Sequence, residues 1–462
     1  RYRNDSKRLR AEKRTDTYSG WLKTYARALD PNSSYYSPDD LAEFKISMGL
    51  ALEGIGVTLR SRDGFITILK VAPGGPTEKQ GILRAKDKIT SVAEGENGKP
   101  VNIIDMSMRE VVKLIRGKKG TKVKLTILRE SPKTQTFEVV IVRDTINLEE
   151  QAAKLRWETV KRNGRKLNLA VIDLPSFYGG RRVKRSCIED VKTLLKEAEG
   201  KADGVLFDLS RNGGGSLRSS VGISGLFMAH GGIVTIDGPA AKKQSLVDRD
   251  GAIHYKGPLV MLTSRASASG SEILVGALKD YKRAVVVGDD RTFGKGTVQN
   301  ILDLPKGLGA LKVTTSYFYL PGGRTTQKEG VTSHIVVPTM LNGGEHGEAR
   351  KDHVLPGDQI EPFISGVENV IDPAKRWTPI TDGQIAQLDA RSKKRVAANA
   401  EFKKLDAERA RRRANEGQVK IEEILSETSD EDEDEDESED KELTIQAKEA
   451  LQILADLIEL SN

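Results

Sequence analysis

Residues 265–299 read RASASGSEILVGALKDYKRAVVVGDDRTFGKGTVQ. Ser267, Ser269 and Ser271 alternate with small residues, a helical pattern follows, then a β-branched strand, then Lys295 between Gly294 and Gly296. A helix followed by a continuous apolar strand is the unit of a buried α/β sheet. The flanking segments repeat the theme. "KLNLAVIDLPSFY" and "ADGVLFDLSRNGGGS" read as strands running into loops, the second glycine-rich, with the helix "VKRSCIEDVKTLLKEAEG" between them. "GPLVMLTS" is another buried strand, and "ALKVTTSYFYLPGG" a strand entering a turn.

Spacing separates three chemistries for the central stretch. A phosphate loop needs four residues between its glycines and a Ser or Thr after the lysine; here Gly288 and Gly294 enclose five, and Gly296 takes the hydroxyl position. A Ser-His-Asp hydrolase has little to draw on: none of the five histidines (His230, His254, His334, His346, His353) sits in a catalytic-loop motif, and no G-x-S-x-G surrounds Ser269. A Ser-Lys hydrolase needs a lysine kept neutral by desolvation or a like charge. Lys295 has apolar Phe293 and two glycines beside it, while Ser269 opens a helix whose N–H groups favour negative charge. Gly213-Gly214-Gly215 supplies a loop able to lend an N–H to an oxyanion. The residues alone leave a bland alternative open, in which "SASGS" only packs a helix closely and Lys295 is a surface lysine.

Composition bounds the rest. The 462 residues carry a net charge of +7 and a pI near 9.1, but aromatics are 5% and no basic stripe carries stacking residues, which argues against nucleic acid. No apolar run approaches the ~20 residues that span a bilayer. The one cysteine, Cys187, excludes an internal disulfide and reads as a packing residue. Residues 1–47 look helical. From Gly54 short β segments ("GIGVTLR", "FITILKV", "KITSVA", "TKVKLTILR") surround one amphipathic helix, "MSMREVVKLIRG", in the manner of small peptide-binding modules. After Pro373 the chain is charged helix, then the acidic run 427–442, then "KELTIQAKEALQILADLIEL", an amphipathic helix with an apolar face to dock on a neighbour or a second subunit.

The central stretch resembles the active-site segment of the carboxyl-terminal processing proteases, a Ser-Lys peptidase family, and most of all their bacterial tail-specific branch. "DPNSSYYSPDDLAEFKISMGLALEGIG", "APGGP", "LPSFY", "NGGGSL", "YKGPLV", "LGALKVT", "KEGVTSHIVVPT" and "LPGDQIEP" follow that branch in order, over roughly residues 20–410. The likeness implies an α/β, crotonase-like protease core at 131–370 with an inserted PDZ domain at 48–130. Around them it leaves a helical remnant at 1–47, charged helix at 371–420, an acidic disordered linker at 421–442 and a final helix at 443–462. The earlier helical domain of that branch is expected to be mostly missing.

Carried over residue by residue, Ser269 is the nucleophile and Lys295 the base. Gln299, read as one helical turn further on, orients the lysine, and the N–H groups of Gly215 and Gly270 hold the oxyanion. Asp280 matches a position that affects activity and is read as structural, pairing near its helix end. Gly54, Ile55 and Gly56 form the loop expected to receive a substrate's C-terminal carboxylate. The implied partners are proteins with apolar C-termini and an adaptor on the helical segments, without cofactor or metal, in the periplasm or peripheral to the inner membrane. Three features depart from the pattern. Gly270 replaces alanine, Ser210-Arg211 stands where an arginine comes first, and "GDDRTFGKG" has one extra residue, which its glycines are expected to absorb as a bulge. The rivals are a PDZ scaffold on a dead core and a crotonase-like enzyme, whose coenzyme A pocket these residues do not supply.

Overall fold

The computed structural model describes residues 14–148, 151–179, 185–239, 241–248, 251–305, 307–344, 346–366, 369–370, 372–414 and 442–461. The acidic run read as a linker lies almost wholly outside them. The chain forms two compact units, Gly49–Gln151 and the remainder.

The chain enters through helix α1 (Arg14–Leu29), strand β1 (Ser34–Tyr36) and helix α2 (Pro38–Gly49). Ser37 starts α2, its hydroxyl and N–H both bonding Asp40, with Pro38 at the first helical position.

The Gly49–Gln151 unit holds β2 (Ala51–Gly54), β3 (Val57–Arg62), β4 (Phe65–Val71), α3 (Pro76–Gln80), β5 (Lys88–Glu94), β6 (Val101–Asn102), α4 (Met108–Ile115), β7 (Lys122–Arg129), β8 (Gln135–Val142) and β9 (Asp144–Asn147). The sheet order is β3-β4-β5-β7-β8, with β6 on β5, and β2 pairs separately with β9. Ile66, Ile68, Ile89, Val111, Leu125 and Ile127 fill its core. Buried Arg143 closes α4, donating to the carbonyls of Ile115 (2.8 Å) and Leu114 (3.0 Å) while it grips Glu94 through both terminal nitrogens (2.8 and 2.7 Å). Strand β3 ends its sheet, so its outer edge has no partner strand among the described residues.

The other unit continues with β10 (Lys154–Arg162), β11 (Arg165–Asp173), α5 (Cys187–Ala198), β12 (Gly204–Asp208), α6 (Leu217–Gly225), β13 (Gly232–Gly238), β14 (Ala241–Val247), β15 (Leu259–Thr263), α7 (Gly270–Asp280), β16 (Val285–Gly288), β17 (Thr297–Asp303), β18 (Ala310–Tyr319) and β19 (Ile335–Val336). Helices α8 (Asp382–Ala398), α9 (Ala400–Ala414) and α10 (Ile445–Ser461) complete it. The main sheet runs β10-β11-β12-β15-β16-β19, parallel from β11 onward. Its central strands are buried at nearly every residue, which is why they read as unbroken apolar runs. A second, antiparallel sheet has the order β1-β18-β13-β14, with β17 on β18. Three loops leave the carboxyl ends of β12, β15 and β16, where open parallel sheets place their sites.

The final helix docks on its own chain. Leu451, Leu454, Leu457 and Ile458 of α10 share one core with Leu206, Val260, Leu262 and Val285 of the sheet. Its buried Asp456 receives Arg162 (2.8 Å), Arg391 (3.2 Å) and Arg395 (2.7 Å), and buried Glu449 takes Arg395 as well (2.8 Å). Removing Asp456 leaves three arginines around a dry helix face without their common anion. Asp456→Ala is expected to cost about 3 kcal/mol, read as a lower urea midpoint at unchanged slope. An unchanged midpoint would show that the network is solvated. Among the described residues no helix is long and apolar enough to cross a membrane.

Candidate active site

The turn from β15 into α7 places Ser269 at φ 55°, ψ −108°, a conformation rare outside glycine. Its neighbours hold it there. The Ser267 hydroxyl donates to the Leu209 carbonyl (2.8 Å) and the Ser271 hydroxyl to that of Asn212 (2.7 Å), so the flanking serines fasten this turn to the loop after β12. Buried Asn212 sets that loop, donating to the Leu174 carbonyl (2.8 Å) and accepting from the Gly214 N–H (2.8 Å). Gly215 has φ 145°, and a Cβ there would lie 2.5 Å from the Phe177 carbonyl oxygen. A Cβ on Gly270 would lie 3.6 Å from the Gly215 nitrogen and 3.1 Å from Phe177 Cδ2. The two glycines are therefore side by side, and alanine at 270 would press on the Phe177 ring. Neither N–H has an acceptor among the described residues, as expected for Gly270 at the first turn of a helix.

The loop after β16 is pinned along its length. Asp289 accepts from Thr339 N–H (2.7 Å) and Arg265 N–H (2.9 Å), and Asp290 forms a two-pronged ion pair with Arg265 (2.9 and 2.7 Å). Thr292 N–H donates to Val331 and Phe293 N–H to Ser267. Gly296 is required because a Cβ would meet Thr325 Oγ1 at 2.2 Å and the Gln327 nitrogen at 2.5 Å.

Buried Glu272 joins the two segments. Its Oε2 accepts from the N–H of Ser269 (2.7 Å) and of Lys295 (2.9 Å); its Oε1 accepts from Gly294 N–H (2.7 Å) and the Thr292 hydroxyl (2.7 Å). One carboxylate oxygen thus binds the serine turn and the lysine loop together. Burial pushes the Glu272 carboxyl up to about 7 against those four bonds.

Ser269, Lys295, Gln299, Gly215 and Gly270 all line one cleft of about 420 Å³, with Met48, Ile273 and Phe318 among its apolar walls. The Lys295 amine is brought down to about 8, by burial first and the Lys312 charge second, with Glu348 and Glu272 pulling the other way. Gln299 is in the cleft, but not one helical turn along: Thr297–Asp303 is strand β17, with an irregularity between Val298 and Gln299. Its Nε2 donates to the hydroxyls of Thr297 (2.8 Å) and Thr314 (3.1 Å). Asp280 lies outside the cleft, at the end of α7, where it accepts the Gly322 N–H (2.8 Å) and lines a separate cavity of about 270 Å³ with Arg324. Arg211 pairs with Asp173 (2.8 Å). Cys187 is buried, and burial pushes its thiol up to about 12. Among the described residues no group of three or more His, Cys, Asp or Glu is placed to hold a metal.

Glu272, Asn212 and Lys312 are absent from the sequence reading. Glu272 had a signal, since Ser269 with Glu three residues on is the capping-box spacing. In the smaller unit, Gly54, Ile55 and Gly56 turn from β2 into β3. The Ile55 carbonyl takes the N–H (3.1 Å) and hydroxyl (2.6 Å) of Thr77, the Gly56 carbonyl takes Ala72 N–H (2.9 Å), and Gly56 has φ 78°.

An α/β core that brings a strained serine and a half-buried lysine into one cleft is thus carried in one chain with a small β unit whose outer strand is open. The profile of peptidase family S41 matches residues 168–337 and that of the PDZ domain residues 43–128. The chain is 38% identical over 425 residues to the tail-specific protease of Haemophilus influenzae, covering 89% of this chain and 59% of that protein. It is 32% identical over 331 residues to the carboxyl-terminal-processing protease of Picosynechococcus sp., covering 70% of this chain and 74% of that protein. Among solved structures, the PDZ domain of a carboxy-terminal protease from Vibrio cholerae in complex with peptide is 38% identical, covering 21% of this chain and 99% of that one, with a TM-score of 0.21. The chain belongs to peptidase family S41.

Proposed function

We propose that this chain is a serine endopeptidase of Ser-Lys type that recognises the free C-terminus of a protein substrate through its PDZ domain and cleaves the chain in the core. The observation that carries the reading is the Glu272 carboxylate, which binds the backbone of Ser269 and Lys295 beside the open N–H groups of Gly215 and Gly270.

Neutral Lys295 takes the Ser269 proton as the oxygen attacks the scissile carbonyl. The carbonyl electrons move onto oxygen, which Gly215 and Gly270 hold. Collapse breaks the C–N bond, and Lys295 ammonium passes its proton to the leaving amine. Water, deprotonated by Lys295, then releases the acyl group from Ser269. Gln299, its Nε2 held by two threonines, presents Oε1 to orient the Lys295 amine. In the PDZ unit the Gly54, Ile55 and Gly56 N–H groups receive the terminal carboxylate, and the tail extends β3 as an added strand. The reading places the enzyme in the periplasm. An adaptor docking on the C-terminal helices would meet the charged faces of α8 and α9, because the apolar side of α10 lies against the sheet.

The test uses an unfolded reporter ending in three apolar residues and the same reporter ending in acidic ones. Cleavage of the first at least about tenfold faster is expected, since an acidic tail loses apolar burial and adds repulsion beside the bound carboxylate. Equal rates would remove the tail-reading role. Tail binding without cleavage of either would leave a PDZ scaffold.

A further inference from the structure

Lys312 has no part in the proposed chemistry, yet it lines the same cleft as Lys295. It stands on β18 opposite Ile301 of β17, two positions from the pairing of Thr314 with Gln299. Its ammonium makes no ion pair or hydrogen bond among the described residues, and apolar Phe318 and Ile301 are its companions on the wall. An ammonium held in a walled cleft without an ion-pair partner is unfavourable, and a lysine that served packing alone would be better replaced by a neutral chain.

The groups around Lys295 explain what it faces. From α7 comes Glu272, engaged with four donors. From residues 348–351 come Glu348 and Lys351, an ion pair at 3.1 Å, with Glu348 also holding Asn32 (2.5 Å). From the N-terminal segment Asp30 and Arg27 face Lys312, Asp30 bonded to the Asn32 and Ser33 N–H groups and the Thr314 hydroxyl. From β17 come the neutral Thr297 and Gln299. Glu272 and Asp30 are engaged by their own donors, and Glu348 and Lys351 pair with each other. Lys312 has no ion pair of its own among the described residues: Asp30 attracts it from beyond ion-pair distance, while Lys351 and Arg27 repel it.

We propose that Lys312 is a positioning residue that favours the neutral form of Lys295 through like-charge repulsion across the cleft. The proposal rests on the reading of Lys295 as the base. Two ammonium groups in one cleft do not both stay protonated as easily as either alone. Burial lowers both amines, and Lys295, the more deeply buried, is the one brought down to about 8. The charge of Lys312 thus adds to the desolvation that already lowers the base.

The experiment records kcat/KM against pH for the full chain on the apolar-tailed reporter. It also records the pH dependence of Ser269 labelling by a fluorophosphonate, which needs the base but no tail. Lys312→Met is expected to move the acid limb of both profiles up by about one pH unit, and so to slow both about tenfold at pH 7, with convergence to wild type at high pH. Lys312→Arg keeps the charge and is expected to leave the limb in place. A limb unmoved in Lys312→Met, or moved equally in Lys312→Arg, overturns the proposal, the second case by making shape the cause. Should Lys312→Met fail to fold, Lys312→Gln against Lys312→Arg makes the same comparison. Lys295→Ala separates the two levels. If it keeps a wild-type profile, the base assignment itself falls and the tuning with it; if it is silent while Lys312→Met retains the wild-type limb, only the tuning falls.

Discussion

Lys295→Ala and Ser269→Ala are each expected to lower kcat/KM on the apolar-tailed reporter by about 10⁴-fold or more while tail binding is kept. The proposed chemistry has one proton acceptor and one nucleophile, so either loss stops acylation. For the same reason the double variant is expected to be no slower than the single ones. The pH profile gives the sign. With the Lys295 amine at about 8, about a tenth is neutral at pH 7 and about a hundredth at pH 6, so activity climbs through that range and levels only above pH 8. A histidine base would level near pH 7. Folding carries the opposite cost. The folded value lies below the 10.5 of a free lysine, so between about 8 and 10.5 the unfolded chain binds more protons and stability rises with pH; below pH 8 the full penalty is carried. Lys295→Met is therefore expected to raise the urea midpoint at pH 7 while abolishing turnover. A Lys295→Ala enzyme that still cleaves would remove the lysine from the mechanism.

What the sequence made legible follows from how local each signal is. The strands Val205–Phe207, Leu259–Leu262 and Val285–Val287 are buried on both faces, and that burial writes itself as unbroken apolar residues. Ser269 and Lys295 were legible because their small-residue settings are required by close contacts, such as the 2.2 Å approach of Thr325 Oγ1 to a Cβ at Gly296. Gln299 shows where spacing fails. Lys295 lies in the loop before β17 and Gln299 on the strand itself, so the interval of four is right for a shared cleft and silent about the element that spans it. The apolar stripe of α10 was plain, but not its destination, because the face of β12 and β15 that receives it looks identical in sequence to the opposite face. Asp456 with Arg162, and Lys312 beside Lys295, were not readable: each depends on which way a strand faces in three dimensions.

Glu272→Ala is expected to lower kcat/KM by about 10²–10³-fold and stability by about 3 kcal/mol or more, by leaving buried donors without an acceptor. Ser269, Gly294 and Lys295 lose the partner of their N–H groups and Thr292 that of its hydroxyl, so the strained serine turn and the lysine loop are released from each other. Glu272→Gln keeps the volume, but its NH₂ meets two of the four donors whichever way the amide turns, so an intermediate loss is expected. The carboxylate also adds a proton to the pH profile. Its folded value, about 7, lies above the 4.5 of a free glutamate, so the group contributes stability below 4.5 that is lost as pH rises through 7. Below pH 7 its proton puts an O–H where an acceptor is needed and loosens the clamp. Turnover then needs two proton losses, from Glu272 near 7 and from Lys295 near 8. The slope of log kcat/KM against pH is expected to approach two below pH 7 in the wild type and one in Glu272→Gln. A slope of one in both would mean that the clamp holds equally well with its carboxyl protonated. Its role would then be structural alone, and Lys295 the single group that sets the acid limb.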